Sequence, residues 1–150
     1  VLATLHTNDC ASSITRLIDM GVPPYMVAAS LSGVLAQRLV KRLCSHCKEV
    51  YETSALERSL LGDETLTKLW LPVGCEPCNY TGYLDRTAIY EMMRVDSRLG
   101  EMIVRGASVF EIRAHEEKCG ACFLKQQVIT LARHGETSVE EVEKIIYAIE

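Results

Sequence analysis

The chain opens on a short, largely apolar run, Val1-Leu-Ala-Thr-Leu5, and then changes rhythm. Such a run reads as a buried strand. A lone strand leaves its backbone groups unpaired, so its neighbours are expected upstream or on another chain. The sequence is therefore read as part of something longer; the alternative is a short N-terminal edge strand. The polar turn His6-Thr7-Asn8-Asp9 follows. Asn8 or Asp9 can cap a helix there, because their side chains accept from the free N–H groups of a first turn. Cys10, Ile14, Leu17 and Ile18 recur at helical spacing towards Met20, and Gly21 supplies a stop. Pro23-Pro24 opens a second helix reaching to Ser32, proline being tolerated in a first turn. From Val34 to Leu43 the periodicity fits helix or strand. Leu35, Gln37, Leu39 and Lys41 alternate with Val34, Ala36, Arg38 and Val40, and strand is preferred.

Residues 44–82 form an excursion bounded by cysteines, with a short helix expected from Ala55 to Leu61. Its apolar residues Leu60, Leu61, Leu69 and Trp70 make either an exposed patch for a protein contact or the small core of the loop. Thr87 to Val95 reads as a strand. The remainder is helical: Ser108 with Glu111, and Ser138 with Glu141, are capping boxes, and Gly106, Gly120 and Gly135 separate the helices. The last helix carries Val139, Val142, Ile145, Ile146 and Ile149 on one stripe. The expected class is α+β, rich in helix, in three parts: residues 1–43, 44–82 and 83–150.

Composition narrows the options. Of 150 residues 48% are hydrophobic and 24% charged, ordinary proportions for a globular protein. Apolar stretches break well short of the roughly 18 residues that a membrane span needs. No secretory leader pattern opens the chain, so a soluble protein is expected. The net charge is −4 and the basic residues are scattered, whereas nucleic-acid binders gather Lys and Arg on one face. The one dense basic run, Arg38 to Arg42, leads into cysteines that offer another reason for it. A nucleic-acid partner is disfavoured.

Seven cysteines change the picture more. Six fall in Cys-x-x-Cys pairs, which points to metal or redox chemistry in a reducing compartment, the cytoplasm fitting best. Cys44-Ser-His-Cys47 and Cys75-Glu-Pro-Cys78 are separated by 27 residues. Two residues between cysteines let both sulfurs meet one ion, and two such turns complete a tetrahedron. Cys44, Cys47, Cys75 and Cys78 are thus the expected ligands of a structural Zn²⁺, with no position open for catalysis. The alternatives are two disulfides or thiols that never meet. Lys41, Arg42 and Lys48 stand near enough in sequence to offset thiolate charge. The third pair, Cys119-Gly-Ala-Cys122, lies at a helix junction beside Glu116 and Glu117. It reads as two packed thiols, and Cys10 as core.

Several segments carry a resemblance. Ala3-Thr4-Leu5-His6-Thr7-Asn8-Asp9 resembles the histidine box of secretion and pilus-assembly ATPases. It is followed by Arg16-Leu17-Ile18-Asp19-Met20-Gly21, by Leu35-Ala36-Gln37-Arg38-Leu39-Val40, and by the first cysteine pair. Gly82-Tyr83-Leu84-Asp85-Arg86-Thr87-Ala88-Ile89-Tyr90-Glu91 is similar to the family's Gly-Tyr-x-Gly-Arg-Thr-x-Ile-x-Glu segment, and the ending from Gly135 to Val142 also fits. Retraction ATPases of the superfamily lack the tetracysteine loop, so the resemblance is to the assembly or secretion branch. Leu84-Asp85 departs from the pattern, where relatives often have a glycine, and so does the Cys119/Cys122 pair.

The resemblance implies the C-terminal portion of a hexameric ATPase that works on an inner-membrane platform protein and other secretion or pilus machinery. It implies a truncated RecA-like edge over residues 1–43, a zinc subdomain over 44–82, and a strand with a helical cluster over 83–150. ATP and Mg²⁺ belong to the parent chain. No Gly-x-x-x-x-Gly-Lys-Ser/Thr occurs here, so these residues alone are not expected to hydrolyse ATP. By resemblance His6 is an accessory residue sensing a γ-phosphate; Arg16, Gln37 and Arg38 are candidates for phosphate or interface contacts. From the residues alone, His6 reads as a turn histidine and the two arginines as surface or ion-pair residues. The competing reading is a stand-alone zinc-ribbon interaction module without nucleotide chemistry.

Overall fold

A computed structural model describes residues 1–149. The elements run α1 (Cys10–Asp19), α2 (Pro24–Ser30), β1 (Gly33–Leu43), β2 (Lys48–Glu52), α3 (Ala55–Leu61) and β3 (Lys68–Pro72). A 3-10 turn over Glu76–Cys78 leads into β4 (Tyr83–Arg94), then α4 (Ser97–Val104), α5 (Val109–Lys118), α6 (Leu124–Arg133) and α7 (Val139–Ile149). The class is mixed α+β. The strands form two two-stranded sheets, β1 with β4 and β2 with β3. The chain divides into two compact units, residues 1–37 with 90–123, and residues 38–89 with the helices from Leu124 onward.

In the first unit α1 starts where its chemistry dictates. Asp9 is extended, its carboxylate accepts the Ser12 N–H at 2.7 Å, and it also meets the Arg113 guanidinium of α5. The Cys10 N–H donates to Glu91 Oε1 of β4 at 2.7 Å, so a second buried carboxylate serves the same helix start. These bonds satisfy donors that a helix N-terminus leaves without intrahelical partners. Cys10 is buried as expected. Burial, then the neighbouring Glu91 carboxylate, push its thiol up to about 12. Ile14, Val27, Leu99, Ile103 and Ile112 are the inward apolar residues of α1, α2, α4 and α5. The α2 helix packs against α4, and α5 against α1.

Residues 1–7 form no strand: Val1 and Leu2 are fully exposed and Leu5 is 37% exposed. The expectation of a buried strand fails in this structure because no described strand pairs with the run, and a strand without a partner leaves its backbone groups to water. Two boundaries shift as well. The second helix stops at Ser30, and β4 begins at Tyr83 rather than Thr87.

In the second unit β2 and β3 make an antiparallel hairpin, with Lys48 opposite Pro72, Val50 opposite Trp70 and Glu52 opposite Lys68. Neither strand was expected: Lys48-Glu49-Val50-Tyr51-Glu52 is short and mostly polar, and Lys68-Leu69-Trp70-Leu71-Pro72 is short and ends in proline. Between them α3 spans the expected residues, capped by Ser54, whose hydroxyl accepts the Glu57 N–H. Leu61 and Leu69 are buried and Leu60 and Trp70 half-buried, so these residues form the loop's own core rather than a contact patch.

The last two helices complete the unit. Arg133 of α6 donates to the Leu61 carbonyl at 2.8 Å, and α6 packs on β3 and α7. Thr137 donates to the Lys41 carbonyl at 2.7 Å, while the Lys41 N–H donates to the Glu141 carboxylate at 3.2 Å. Ser138 and Glu141, expected to cap α7, reach the strands: the Ser138 hydroxyl lies 2.7 Å from that of Tyr83. Gly135 has φ +68, and a Cβ there would stand 2.6 Å from the Trp70 ring. Only glycine lets the α6–α7 turn close over the indole.

Candidate metal centre

The two cysteine pairs meet inside the second unit. Cys44 lies at the end of β1, Cys47 at the start of β2, and Cys75 and Cys78 flank the 3-10 turn after β3. The β2–β3 hairpin carries the second pair back to the first. Sγ atoms stand 3.8 Å apart for Cys44 and Cys75, 3.9 Å for Cys47 and Cys78, and 3.7 Å for Cys75 and Cys78. All four lie within 4.8 Å of one another. A regular tetrahedron with Zn–S bonds of about 2.3 Å has edges of about 3.8 Å, so the sulfur separations fit an ion of that size. Disulfides do not fit, since bonded sulfurs stand only about 2.05 Å apart.

Backbone N–H groups serve the sulfurs. Gly74 donates to Cys47 Sγ at 3.3 Å, Cys75 to Cys78 Sγ at 3.2 Å, and Gly82 to Cys78 Sγ at 3.3 Å. The Gly82 carbonyl also accepts the Cys44 N–H at 2.9 Å. Gly82 adopts φ +77, and a Cβ there would stand 2.3 Å from the Pro72 side chain. Asn79 and Tyr80 take left-handed conformations that turn the chain around the second pair. These glycine contacts were not read from the sequence; the glycines flanking the second pair were the available signal.

Electrostatics single out one sulfur. Burial opposes ionisation of Cys78, but the N–H groups of Cys75 and Gly82 outweigh it and bring its pKa down to about 6. Cys75 goes the other way, pushed up by burial to about 12, and burial raises Cys47 too. A divalent ion among the sulfurs overrides this order, because coordination deprotonates thiols outright. The lysines expected to offset thiolate charge have other partners. Lys48 donates to the Gly135 carbonyl at 2.7 Å and lies over Trp70, and Lys41 lies over the Tyr83 ring. His46, between Cys44 and Cys47, is exposed.

None of the remaining candidates is among the four cluster residues. His6 and Arg16 line one open depression of about 250 Å³ with Asn8, Ser12, Thr15 and Asp19. Both are exposed, His6 before α1 and Arg16 in its last turn. Gln37 and Arg38 lie in β1 and do not line that depression. The expectation of packed thiols at Cys119 and Cys122 is overturned: both are exposed. Cys119 follows the end of α5, and the next residue, Gly120, turns left-handed at φ +81, which carries the thiols away from the helix packing.

A helix-rich α+β chain that brings four cysteine sulfurs within 4.8 Å of one another defines a protein with a candidate tetracysteine metal site. No helix among the described residues is long and apolar enough to cross a membrane. The chain belongs to the Type II/IV secretion system protein family, whose model matches residues 1–144. It is 39% identical to the type II secretion system protein HxcR of Pseudomonas aeruginosa over 97% of this chain and 28% of that protein. It is 44% identical to the type IV pilus assembly ATPase PilB of Thermus thermophilus over 95% of this chain and 16% of that protein. With the type II secretion system ATPase E of Vibrio cholerae the identity is 40%, over 97% of this chain and 29% of the relative. The chain thus spans less than a third of the length of each of these relatives.

Proposed function

We propose that these residues are the zinc-carrying C-terminal portion of a hexameric ATPase that powers type IV pilus assembly or type II protein secretion. Cys44, Cys47, Cys75 and Cys78 hold one structural Zn²⁺. The observation that carries this reading is the set of four sulfurs within 4.8 Å of one another in a chain that aligns along nearly its whole length with ATPases of both systems. The zinc staples the β2–β3 hairpin to the end of β1 and the start of β4. It takes no part in phosphate chemistry, since four thiolates leave no position for water.

Residues 1–43 would then join a RecA-like sheet supplied by the rest of the protein, and residues 44–82 and 83–150 would form its zinc and helical subdomains. ATP and Mg²⁺ bind to a phosphate loop that is not among these 150 residues. His6, at the rim of the depression it shares with Arg16, is placed in the assembled hexamer to meet a γ-phosphate, while Gln37 and Arg38 lie along β1 for interface contacts. The machine works in the cytoplasm against an inner-membrane platform protein. A free-standing zinc ribbon is the weaker reading, because the family match includes the residues ahead of the first cysteine.

Elemental analysis with thiol titration tests the site. One zinc per chain, and four thiols that become titratable on chelation, are expected; no zinc would remove the staple. ATP turnover tests the motor. These 150 residues alone are expected to show none, and His6→Ala in the whole ATPase should lower kcat with little change in ATP binding. Turnover by the chain alone, or unchanged kcat, would remove the accessory role.

A further inference from the structure

The first unit holds a second thiol site, which the zinc reading leaves unused. Cys119 and Cys122 are both exposed, at the turn between α5 and α6. The turn is closed by the Gly120 N–H to the Glu117 carbonyl at 3.0 Å and the Ala121 N–H to the Glu116 carbonyl at 3.0 Å. Left-handed Gly120 lies between the two cysteines, and a Cβ there would meet nothing within 4 Å. One turn back on α5, His115 stands with Nε2 3.8 Å from Cys119 Sγ.

Cys119 and His115 also line an open groove of about 560 Å³ with Arg98, Arg105 and Lys118. Glu111 and Glu101 line it too; Arg105 is paired with Glu111 at 3.2 Å, so Arg98 and Lys118 are the cations not held by that ion pair. The sequence suggested acidic surroundings from Glu116 and Glu117. The structure changes half of that: Glu116 is buried on the inner face of α5 and lines a different pocket, while Glu117 stays exposed. An exposed thiol beside an imidazole and cations is the setting that favours the attacking thiolate.

We propose that Cys119 and Cys122 are a thiol–disulfide exchange site for a small disulfide bearing carboxylates, of the glutathione disulfide class. The groove cations receive the carboxylates. The Cys119 thiolate, its proton passed to His115, attacks one sulfur of the small disulfide, forming a mixed disulfide and expelling one thiolate that takes up the proton. The Cys122 sulfur then attacks the Cys119 sulfur, closing the protein disulfide and expelling the second small thiol with the Cys122 proton. Two protein thiols are oxidised and one small disulfide is reduced to two thiols. A Cys-x-x-Cys pair supplies both the attacking and the resolving sulfur.

The test uses the folded protein, an excess of glutathione disulfide, alkylation of remaining thiols, and mass spectrometry. Trypsin releases Cys119 and Cys122 together in the peptide 119–125, separate from the four cluster cysteines. That peptide is expected to lose two hydrogens. Cys122→Ser should accumulate one glutathione adduct on Cys119, and Cys119→Ser should react at Cys122 about tenfold more slowly. His115→Gln in the Cys122→Ser background should slow adduct formation several-fold. The proposal is overturned if the wild-type peptide stays reduced while the urea-unfolded chain oxidises. Equal rates for the two serine variants would also overturn it, leaving only two accessible thiols.

Discussion

The cysteine cluster and the segment that carries His6 differ in where their partners come from. The cluster's four sulfurs, the amides that serve them and the glycine that lets two turns approach all lie between Cys44 and Gly82. Distant support comes from α6, whose Arg133 bonds the Leu61 carbonyl, and from the α6–α7 turn, which brings Gly135 onto Trp70 and the Gly135 carbonyl to Lys48. Residues 1–6, by contrast, are exposed, and residues 1–7 form no regular structure although they open on an apolar run. A four-ligand site closes on itself once its ligands are present. A strand is stable only against another strand. The cluster is therefore built from sulfurs within residues 44–82, whereas the leading run has no strand partner among the described residues.

Metal removal is the strongest way to break this contrast. Structural zinc contributes about 10–16 kcal/mol in small finger peptides, as much as the whole stability of a typical domain. Chelation, or Cys75→Ser, is expected to abolish zinc binding and to unfold the β2–β3 hairpin. Trp70 is the chain's single tryptophan and sits in that hairpin, so its emission should move to the red. Hydrogen exchange should rise at β2 and β3 while α1 and α2 keep their protection. Retained zinc in Cys75→Ser would mean that Cys75 is not a ligand.

Two smaller perturbations separate the regions. Gly82→Ala places a side chain 2.3 Å from Pro72 in a left-handed conformation. Strain and overpacking together should cost about 3 kcal/mol and lower zinc affinity, read by denaturation followed at Trp70 and by competition with a chelating dye. Asp9→Ala acts on the other unit. It removes the cap of α1 and the partner of Arg113, at a cost of about 1–2 kcal/mol. Faster exchange in α1 with unchanged zinc content is the expected result. Zinc loss in Asp9→Ala would show that the two units do not respond separately.

How much was legible follows the same division. The cluster could be read from spacing because Cys-x-x-Cys states a local geometry, and α3, the Asp9 cap and the Ser108/Glu111 box were legible for the same reason. The β2–β3 hairpin was hidden because Lys48 to Glu52 is mostly polar, its strand character coming from pairing with residues 68–72. The destinations of Lys41 and Lys48 were hidden because proximity in sequence to thiolates says nothing of the rings of Tyr83 and Trp70. Exposure of Cys119 and Cys122 was likewise settled by the turn at Gly120, not by their spacing. His6 and Arg16 line one depression, and nothing in their residue types announced that they would share it.

The smallest expected effect lies at Asp85, where the sequence departs from the glycine of the resembling pattern. Asp85 is exposed within β4 at φ +65. An L-residue pays about 1–2 kcal/mol for this conformation, aspartate less than most because its short side chain bonds locally. Glycine takes it without steric cost but loses more freedom on folding. The balance favours Asp85→Gly by about 0.5 kcal/mol, whereas Asp85→Ala, which keeps the Cβ and loses the carboxylate, should be destabilised by about the same amount. Because β4 leaves the cluster at Gly82, both shifts should appear in denaturation followed at Trp70, with zinc content unchanged. A loss of stability in Asp85→Gly would mean that the carboxylate makes a contact worth more than the backbone strain it tolerates. The departure from glycine would then be a feature of this chain's β4 and not a tolerated substitution.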